Sequence, residues 1–252
     1  MDIAGARVLV VGGVHRLGRA LAADLARHGA ALCITSRSDA PPARERTAEL
    51  LAAGAGAAAL VTGDVREPDD ARRLVGDAAE ALGGLDALLY AASGAFAPRS
   101  PEELTGPEWD TSLDTIAKGF FFTAAAAHDV LAEGRAPDGP TAAIVAVTDP
   151  MGIAPWPRFA AHGAAKAAQI HLVKSLAGAW AADGVRVCGV APGPVDLADD
   201  EHRAASQRAA ARTARGRLVA PADVGAAVRF CLETEAVTGV NVIVDHGALL
   251  VT

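Results

Sequence analysis

The chain has 252 residues, 51% of them hydrophobic, a formal net charge of -7 at pH 7 and a pI near 5.5. An acidic chain disfavours a nucleic-acid partner, because proteins that bind polyanions usually carry a basic face. No apolar run approaches the roughly 18 residues of a membrane span, and the N-terminus lacks the charge and cleavage site of a secretory signal. We therefore expect a cytoplasmic protein with no membrane partner.

Apolar runs of strand length alternate with amphipathic stretches of helix length along the whole chain. In chain order, we predict strands at 6–13, 30–36, 57–65, 85–93, 141–148, 185–195 and 241–247. The helices between them are predicted at 16–28, 42–53, 68–82, 107–134, 160–182 and 221–232. Short buried strands separated by helices predict an α/β fold with a doubly wound parallel sheet and helices on both faces.

One tract does not follow this alternation. Residues 197–220 are charged and lack a strand pattern, so we predict either a substrate lid or a solvated surface helix there.

Cysteine usage predicts reduced thiols. Cys33, Cys188 and Cys231 are odd in number and lie in apolar segments, which suits core packing better than a disulfide framework. The seven histidines show no ligand spacing, so we expect no metal site.

A glycine-rich turn follows the first predicted strand, in the stretch "VVGGVHRLGRA" at residues 10–20. A parallel sheet binds its ligands beyond the carboxyl ends of its strands. Gly12 would permit a tight turn there, and Gly18 would let the backbone approach a pyrophosphate on the N-terminus of the next helix. The strand, turn and helix together predict nucleotide binding.

The end of the second strand, "CITSRSDAP", indicates which nucleotide is bound. NAD-selective sites usually place a carboxylate there, whereas a 2′-phosphate needs cationic and hydroxyl donors. Ser36, Arg37 and Ser38, together with Arg16 in the glycine turn, favour NADP(H). Asp39 is close by, but its position after the strand suits a helix cap or a turn.

Six motifs occur in order: "VVGGVHRLG", "TGDV", "YAASG", "HGAAK", "APGPV" and "VTGVNVIVDHG". On these motifs the chain resembles the short-chain dehydrogenase/reductases over essentially its whole length. The resemblance implies one Rossmann-type domain over residues 1–252, a small-molecule substrate, and a homotetramer or homodimer. The cofactor contacts that it implies are Gly12, Arg16, Leu17 and Gly18 in the turn, Asp64 and Val65 at the adenine, Ala91, Ala92 and Ser93 beneath the ribose and nicotinamide, and Pro192, Gly193 and Val195 at the carboxamide.

Within the family, the closest resemblance is to the pteridine reductase and dihydromonapterin reductase branch. It rests on the arginine in the glycine turn, the "SRS" after the second strand and the aspartate in "VTDPMG". Phe96 lies near the position where that branch stacks an aromatic ring on the pterin, displaced by one residue. The stretch "PWPRF", residues 155–159, is predicted to form the substrate-side wall, with Trp156 as a pocket residue or a hydrophobic plug.

The catalytic pattern of the family is altered in this chain. The family places an Asn, a Ser, a Tyr and a Lys around the substrate carbonyl. Counting back from Lys166, the tyrosine position holds His162, the serine position holds Asp149 and the asparagine falls at Ile116. The sole tyrosine, Tyr90, is expected beside the cofactor instead. Another group must therefore donate the proton.

Reduction of a carbonyl by hydride leaves an alkoxide that must be protonated. A neutral imidazole is a poor acid, but a carboxylate beside the ring stabilises the imidazolium, so Asp149 with His162 is a candidate proton donor while Lys166 holds the ribose hydroxyls. Plain structural roles stay open for all three: a helix-surface histidine, a turn aspartate and a solvated lysine.

The sequence therefore favours an NADPH-dependent reductase of a carbonyl or a pterin-like C=N bond. A substrate able to protonate itself would relax the need for a tyrosine. One alternative is a catalytically impaired NADP(H)-binding sensor or scaffold protein. Another is a 3-oxoacyl carrier-protein reductase, which would normally need the tyrosine and a basic docking patch.

Overall fold

The computed structural model describes residues 1–94, 97–133, 141–197 and 203–251. Seven strands form one sheet in the order β3-β2-β1-β4-β5-β6-β7, and every neighbouring pair is parallel. They are β1 (Arg7–Val11), β2 (Ala31–Ser36), β3 (Ala57–Thr62), β4 (Ala87–Tyr90), β5 (Ala142–Val147), β6 (Val185–Pro192) and β7 (Asn241–Val244). The predicted parallel α/β sheet is confirmed.

Helices cover both faces of the sheet. They are α1 (Arg16–Arg27), α2 (Pro41–Ala52), α3 (Pro68–Leu82), α4 (Gly106–Leu113), α5 (Gly119–Ala132), α6 (Ala160–Trp180), α7 (Arg203–Ala210) and α8 (Pro221–Glu233). Alternate residues of β1 enter two separate cores: Val8 and Val10 pack in the core that includes α1 and α8 residues, Leu9 and Val11 in the core that includes α3, α5 and α6 residues. This alternation produces the doubly wound architecture, because successive side chains of a strand point to opposite faces.

Several strands end earlier than predicted. The run at 57–65 leaves the sheet after Thr62, where Gly63 N donates to Ser36 O and Asp64 N donates to the side chain of Asp70. The runs at 6–13, 85–93, 185–195 and 241–247 likewise stop at Val11, Tyr90, Pro192 and Val244. Apolar composition does not separate the last paired residue from the loop that follows, and these loops build the candidate site.

The long helix predicted at 107–134 is interrupted by a π-helical turn, Asp114–Lys118, and ends at Ala132. Ile116 is fully buried in this turn. Tyr90 Oη donates a hydrogen bond of 2.5 Å to Thr115 O, and the Tyr90 ring packs edge-on against Phe120 at 5.5 Å. Tyr90 was expected beside the cofactor, but its fully buried side chain stabilises the π turn instead.

Within the tract 197–220, residues 198–202 lie outside the described part of the chain. α7 follows, and buried Thr213 fixes the next turn: its Oγ1 accepts from Arg217 N at 3.1 Å and donates to Ala210 O at 3.0 Å. An isolated β-bridge between Val195 and Val219 joins the end of the tract to the segment that follows β6. A surface helix is thus present, and a lid role stays a prediction.

The three cysteines are free and lie in the two hydrophobic cores, which confirms the predicted packing role. None of the described helices is both long and apolar enough to cross a membrane. The described residues also contain no group of three His, Cys, Asp or Glu side chains that could hold a metal ion.

Candidate active site

The glycine turn lies between β1 and α1 and packs against the segment that follows β4. Gly12 has φ +80°, and a Cβ there would lie 2.9 Å from Ala92 N. A Cβ on Gly18 would lie 2.1 Å from Gly12 O, so only a glycine at this buried position lets the two ends of the turn pack this closely. His15, the residue before α1, gives no side-chain cap, which leaves the first amides of α1 available to an anion.

Arg16 lies in the same turn and adopts the left-handed region, with φ +48°. This conformation is costly for a residue with a side chain and is found most often at functional sites. Leu17, the next residue, packs against the core on the α1 face of the sheet. The turn therefore combines a strained arginine with open helix amides.

The loop after β2 carries the other predicted phosphate ligands. Ser36 is half-buried, and its Oγ accepts from Ser38 N at 3.3 Å, whereas Arg37 and Ser38 are exposed. Asp39 forms an ion pair with Arg44 of α2, with Arg44 Nε 2.6 Å from Oδ1. Asp39 is not a helix cap, because α2 begins after Ala40 and that residue makes no side-chain cap. The carboxylate of this loop is therefore engaged within the protein.

Asp64 and Val65 follow β3 and are both tied into the fold. Both carboxylate oxygens of Asp64 lie 3.0 Å from Arg66 Nε. The Arg66 side chain, and more weakly the charge of Arg37, hold the pKa of Asp64 below its usual value. Val65 packs in the core, so any adenine contact at this residue would fall to its backbone. Adenine binding by this pair stays a prediction.

The remaining predicted cofactor residues follow β4 and β6. Ala91 N donates to Val11 O at 2.8 Å, Ala92 adjoins Gly12 as described, and Ser93 is exposed. Gly193 N donates to Val244 O at 3.0 Å. A Cβ on Gly193 would lie 2.8 Å from Asp245 Cα, so the glycine permits close packing after β6. With Pro192 ending β6 and Val195 in the bridge to Val219, the predicted residues lie along the carboxyl edge of the sheet.

The three predicted catalytic residues are brought together where β5 ends and α6 begins. His162 Nε2 lies 3.2 Å from Asp149 Oδ2, and the His162 side chain is only 8% exposed. The other oxygen of the same carboxylate accepts from Met151 N at 2.8 Å and begins the 3₁₀ turn Pro150–Gly152. Asp149 is therefore both a turn residue and the partner of His162.

Lys166 lies one helical turn beyond His162 and is 3% exposed, so it is not a solvated surface lysine. Its Nζ donates to Val147 O at 2.7 Å and to Gln169 Oε1 at 3.1 Å. Burial lowers the pKa of Lys166 to about 8, and the charge of Asp149 opposes this shift. Gln169 is a partner that the sequence analysis missed; the one signal for it was a polar residue one turn after Lys166 in an alanine-rich helix.

A cavity of about 230 Å³ adjoins the start of α6. Its lining includes Arg158, Phe159 and His162, with residues 97–104 and part of α4 opposite. Trp156 packs edge-on against Phe159, with ring centroids 6.1 Å apart, and Arg212 Cζ lies 4.1 Å from the centroid of the Trp156 ring. Phe96, the predicted pterin-stacking residue, lies outside the described residues. The "PWPRF" segment thus adjoins the predicted catalytic residue His162.

A parallel sheet with a glycine turn, uncapped helix amides and a buried lysine at its carboxyl edge is typical of an α/β protein that binds a nucleotide. A family model described as enoyl-(acyl carrier protein) reductase matches residues 13–248. The chain belongs to the short-chain dehydrogenase/reductase family.

Relatives with different substrates share this fold and length. The chain is 32% identical to 3beta-hydroxysteroid dehydrogenase 1 of Eggerthella lenta over 99% of this chain and 95% of that protein. It is also 32% identical to L-rhamnose 1-dehydrogenase (NAD(P)(+)) of a Sphingomonas species, over 96% of each. A short-chain dehydrogenase of Burkholderia cenocepacia, solved in complex with NADP, is 30% identical with a TM-score of 0.86 over 99% of this chain and 100% of that one.

Proposed function

We propose that the protein is an NADPH-dependent reductase of a carbonyl or a pterin-like C=N bond, in which the Asp149 and His162 pair donates the proton. The contact of 3.2 Å between His162 Nε2 and Asp149 Oδ2, beside buried Lys166, carries this proposal. The pterin-like alternative rests on the resemblance to the pteridine reductase branch.

The residues around the glycine turn fit the cofactor. The uncapped amides of α1 would hold the pyrophosphate, and Arg16 and Arg37 would pair with the 2′-phosphate of NADP(H). The engagement of Asp39 by Arg44 supports this selectivity, because it removes a carboxylate that would repel the phosphate. The relative solved with NADP is consistent with it. When bound, the cofactor supplies the hydride.

The protein's own residues would handle the proton. His162, as imidazolium, donates to the oxygen or nitrogen that receives negative charge, and Asp149 stabilises the charged ring until the proton leaves. The Asp149 carboxylate is held in place by the Met151 amide, so the pair is oriented before substrate binds. Lys166 holds the ribose hydroxyls, and Val147 O and Gln169 orient its ammonium group.

The test is NADPH consumption by the purified protein against quinones, diketones, pterins and acyl thioesters. We expect His162→Ala and Asp149→Asn each to reduce kcat by about 100-fold or more, as loss of a general acid does, while the Kd for NADPH changes less than threefold. His171→Ala, an exposed histidine of the same helix, is the matched control and should behave as wild type. Unchanged turnover in both active-site variants would refute the proton-donor assignment.

The same panel separates the alternatives. Tight NADPH binding without turnover on any substrate would favour the catalytically impaired sensor or scaffold protein. A second enzymatic candidate is a 3-oxoacyl carrier-protein reductase, which would share the acyl-carrier substrate, and not the bond that is reduced, with the enoyl reductases that the matching family model describes. It predicts that turnover of acyl thioesters depends on acyl chain length.

We also propose a cytoplasmic homotetramer or homodimer. Val240 and Ile243 at the last strand are 40% and 47% exposed, and Phe230 on α8, the helix that packs against β7, is 46% exposed. Apolar side chains grouped at the last strand of a sheet suit a subunit contact. Light scattering should therefore give two or four times the chain mass of 25.4 kDa, and a monomer would contradict the proposal.

A further inference from the structure

Many of the described arginines of this acidic protein have a carboxylate partner. Among the described residues, ion pairs to Asp or Glu engage Arg7, Arg19, Arg27, Arg44, Arg46, Arg66, Arg72, Arg73, Arg99 and Arg229. Arg186 is buried, and its guanidinium donates to backbone carbonyls around the end of α8. The described arginines that have neither a carboxylate partner nor such carbonyl partners are therefore the candidates to bind an anionic ligand.

The described arginines without an ion pair fall into two groups. Arg16 and Arg37 belong to the predicted phosphate site of the cofactor. We call the second group the wall arginines. Arg158 lies in the "PWPRF" segment, Arg208 lies in the last turn of α7, and the turn after α7 carries Arg212, Arg215 and Arg217. A group of like charges without counterions repels itself and favours an anionic ligand.

The segment 207–217 carries four of the wall arginines and no acidic residue. All four side chains are exposed. The backbone around them is held by Thr213, and Arg215 N donates to His246 O at 3.3 Å. This cationic segment therefore has a defined position in the fold.

The wall arginines are connected to the catalytic pair. Arg212 stacks over Trp156, Trp156 packs against Phe159, and Phe159 lines the same cavity as Arg158 and His162. The stack on Trp156 orients the guanidinium, because a planar cation is attracted to the face of an aromatic ring. Arginine beside an oriented ring is well suited to bind carboxylate or phosphate through two parallel hydrogen bonds.

Nearby carboxylates already have partners. Glu108 accepts from Arg99 Nε at 3.0 Å and from Thr105 N at 3.1 Å, and Glu103 accepts from Ser100 N at 3.3 Å. Arg99 and Arg158 attract Glu103 electrostatically without an ion pair. Neither glutamate therefore forms an ion pair with a wall arginine.

We propose that the substrate carries an anionic group, a carboxylate or a phosphate, and that the wall arginines bind it, with Arg212 as the specificity-determining residue. This inference rests on the proposed function and names the substrate class for the same site: a reducible compound whose anionic group lies away from the reacting bond, towards Trp156. The wall arginines would then pair with the anionic group of the substrate, as Arg16 and Arg37 are proposed to pair with the 2′-phosphate of the cofactor.

The test compares pairs of substrates that carry the same reducible group with and without an anionic group elsewhere in the molecule. A 3-oxo acid is compared with its methyl ester, and acetoacetyl-coenzyme A with acetoacetyl-N-acetylcysteamine, which lacks the phosphates. We expect wild type to favour the anionic member of one pair by tenfold or more in kcat/KM. Arg212→Gln should raise KM for that member about tenfold and leave the neutral member within twofold, and Arg212→Lys should recover part of the loss.

The matched control is Arg72→Gln, which removes the same charge from an exposed arginine of α3.

A binding measurement decides the inference even if no substrate turns over. Protein saturated with NADPH, so that the cofactor phosphate site is filled, is titrated with succinate and with coenzyme A by calorimetry. Binding of either anion that Arg212→Gln weakens about tenfold and Arg72→Gln does not supports the inference. Absence of binding at millimolar concentration, or equal binding by both variants, overturns it.

Discussion

Asp149 and His162 lie 13 residues apart in sequence, yet Oδ2 of one is 3.2 Å from Nε2 of the other. The contact spans the end of β5 and the start of α6, and the second oxygen of the carboxylate is fixed by Met151 N. Two ionisable groups held in this way form an oriented acid-base pair in a largely buried place.

The Asp149→Ser/His162→Tyr double variant should restore the serine and the tyrosine of the catalytic set that the family resemblance implies, with Lys166 in place and Ile116 still at the asparagine position. His162→Tyr alone should remain weak, because the Asp149 carboxylate disfavours an ionised phenol beside it. Removing that charge should raise kcat about tenfold over the single variant, measured from pH 7 to pH 9 with a substrate of the wild-type protein. If the double variant is no better than the single one, the charge of Asp149 is not what limits a tyrosine at this position.

Arg16 offers two variants that separate charge from backbone strain. Arg16→Ala and Arg16→Gly both remove the guanidinium, so each should weaken NADPH about tenfold and leave NADH within twofold, as measured by fluorescence titration. Only glycine relieves the positive φ, whose cost for other residues is about 1–2 kcal/mol, so Arg16→Gly should be the more stable of the two in urea unfolding. Equal loss of NADPH and NADH would contradict the assignment of Arg16 to the 2′-phosphate.

Gly18→Ala should disrupt the turn between β1 and α1, because its Cβ would lie 2.1 Å from Gly12 O. We expect a loss of about 2 kcal/mol or more in the free energy of unfolding, in the range of overpacked buried sites, together with loss of NADPH binding. The matched control is Gly76→Ala on α3, where a Cβ would meet nothing within 4 Å. That change should stabilise the protein by about 0.5–1 kcal/mol, since alanine is the better helix former.

Lys166 should make stability depend on pH in a defined direction. Its pKa is about 8 in the folded chain against an ordinary value of 10.5, so between these values the unfolded chain binds more protons. The free energy of unfolding therefore rises as pH increases from 8 to 10.5. Below pH 8 the buried ammonium group lowers the free energy of unfolding by up to about 3 kcal/mol. The stability of Lys166→Met minus that of wild type should fall by about 2 kcal/mol from pH 7 to pH 10. A difference that does not change with pH would show that the lysine titrates normally.

The sequence was sufficient for the parallel sheet because hydrophobic periodicity and turn residues are local signals. The family resemblance singled out Asp149, His162 and Lys166, and the structure brings these three side chains together at the end of β5 and the start of α6. Several strands were predicted to extend too far, because an apolar residue can belong to a hydrogen-bonded strand or to the loop that follows it. Pairing with the neighbouring strand decides that, and it is not a local property.

The parts of the site that the sequence did not reveal depend on contacts between distant segments. The π turn is one example: it contains Ile116 and is held by a hydrogen bond from Tyr90, 25 residues before Thr115. The stack of Arg212 on Trp156 is another, because it joins the turn after α7 to the segment before α6. Neither contact has a periodic or compositional signature.

The burial of Tyr90 gives this protein an optical reporter of its own unfolding. It is the sole tyrosine of the chain, it is fully buried, and burial raises the pKa of its phenol above the ordinary value. In an alkaline titration, the ultraviolet absorbance of tyrosinate therefore arises only from molecules that have opened this core. The size of that absorbance step measures the unfolded fraction directly, without any label.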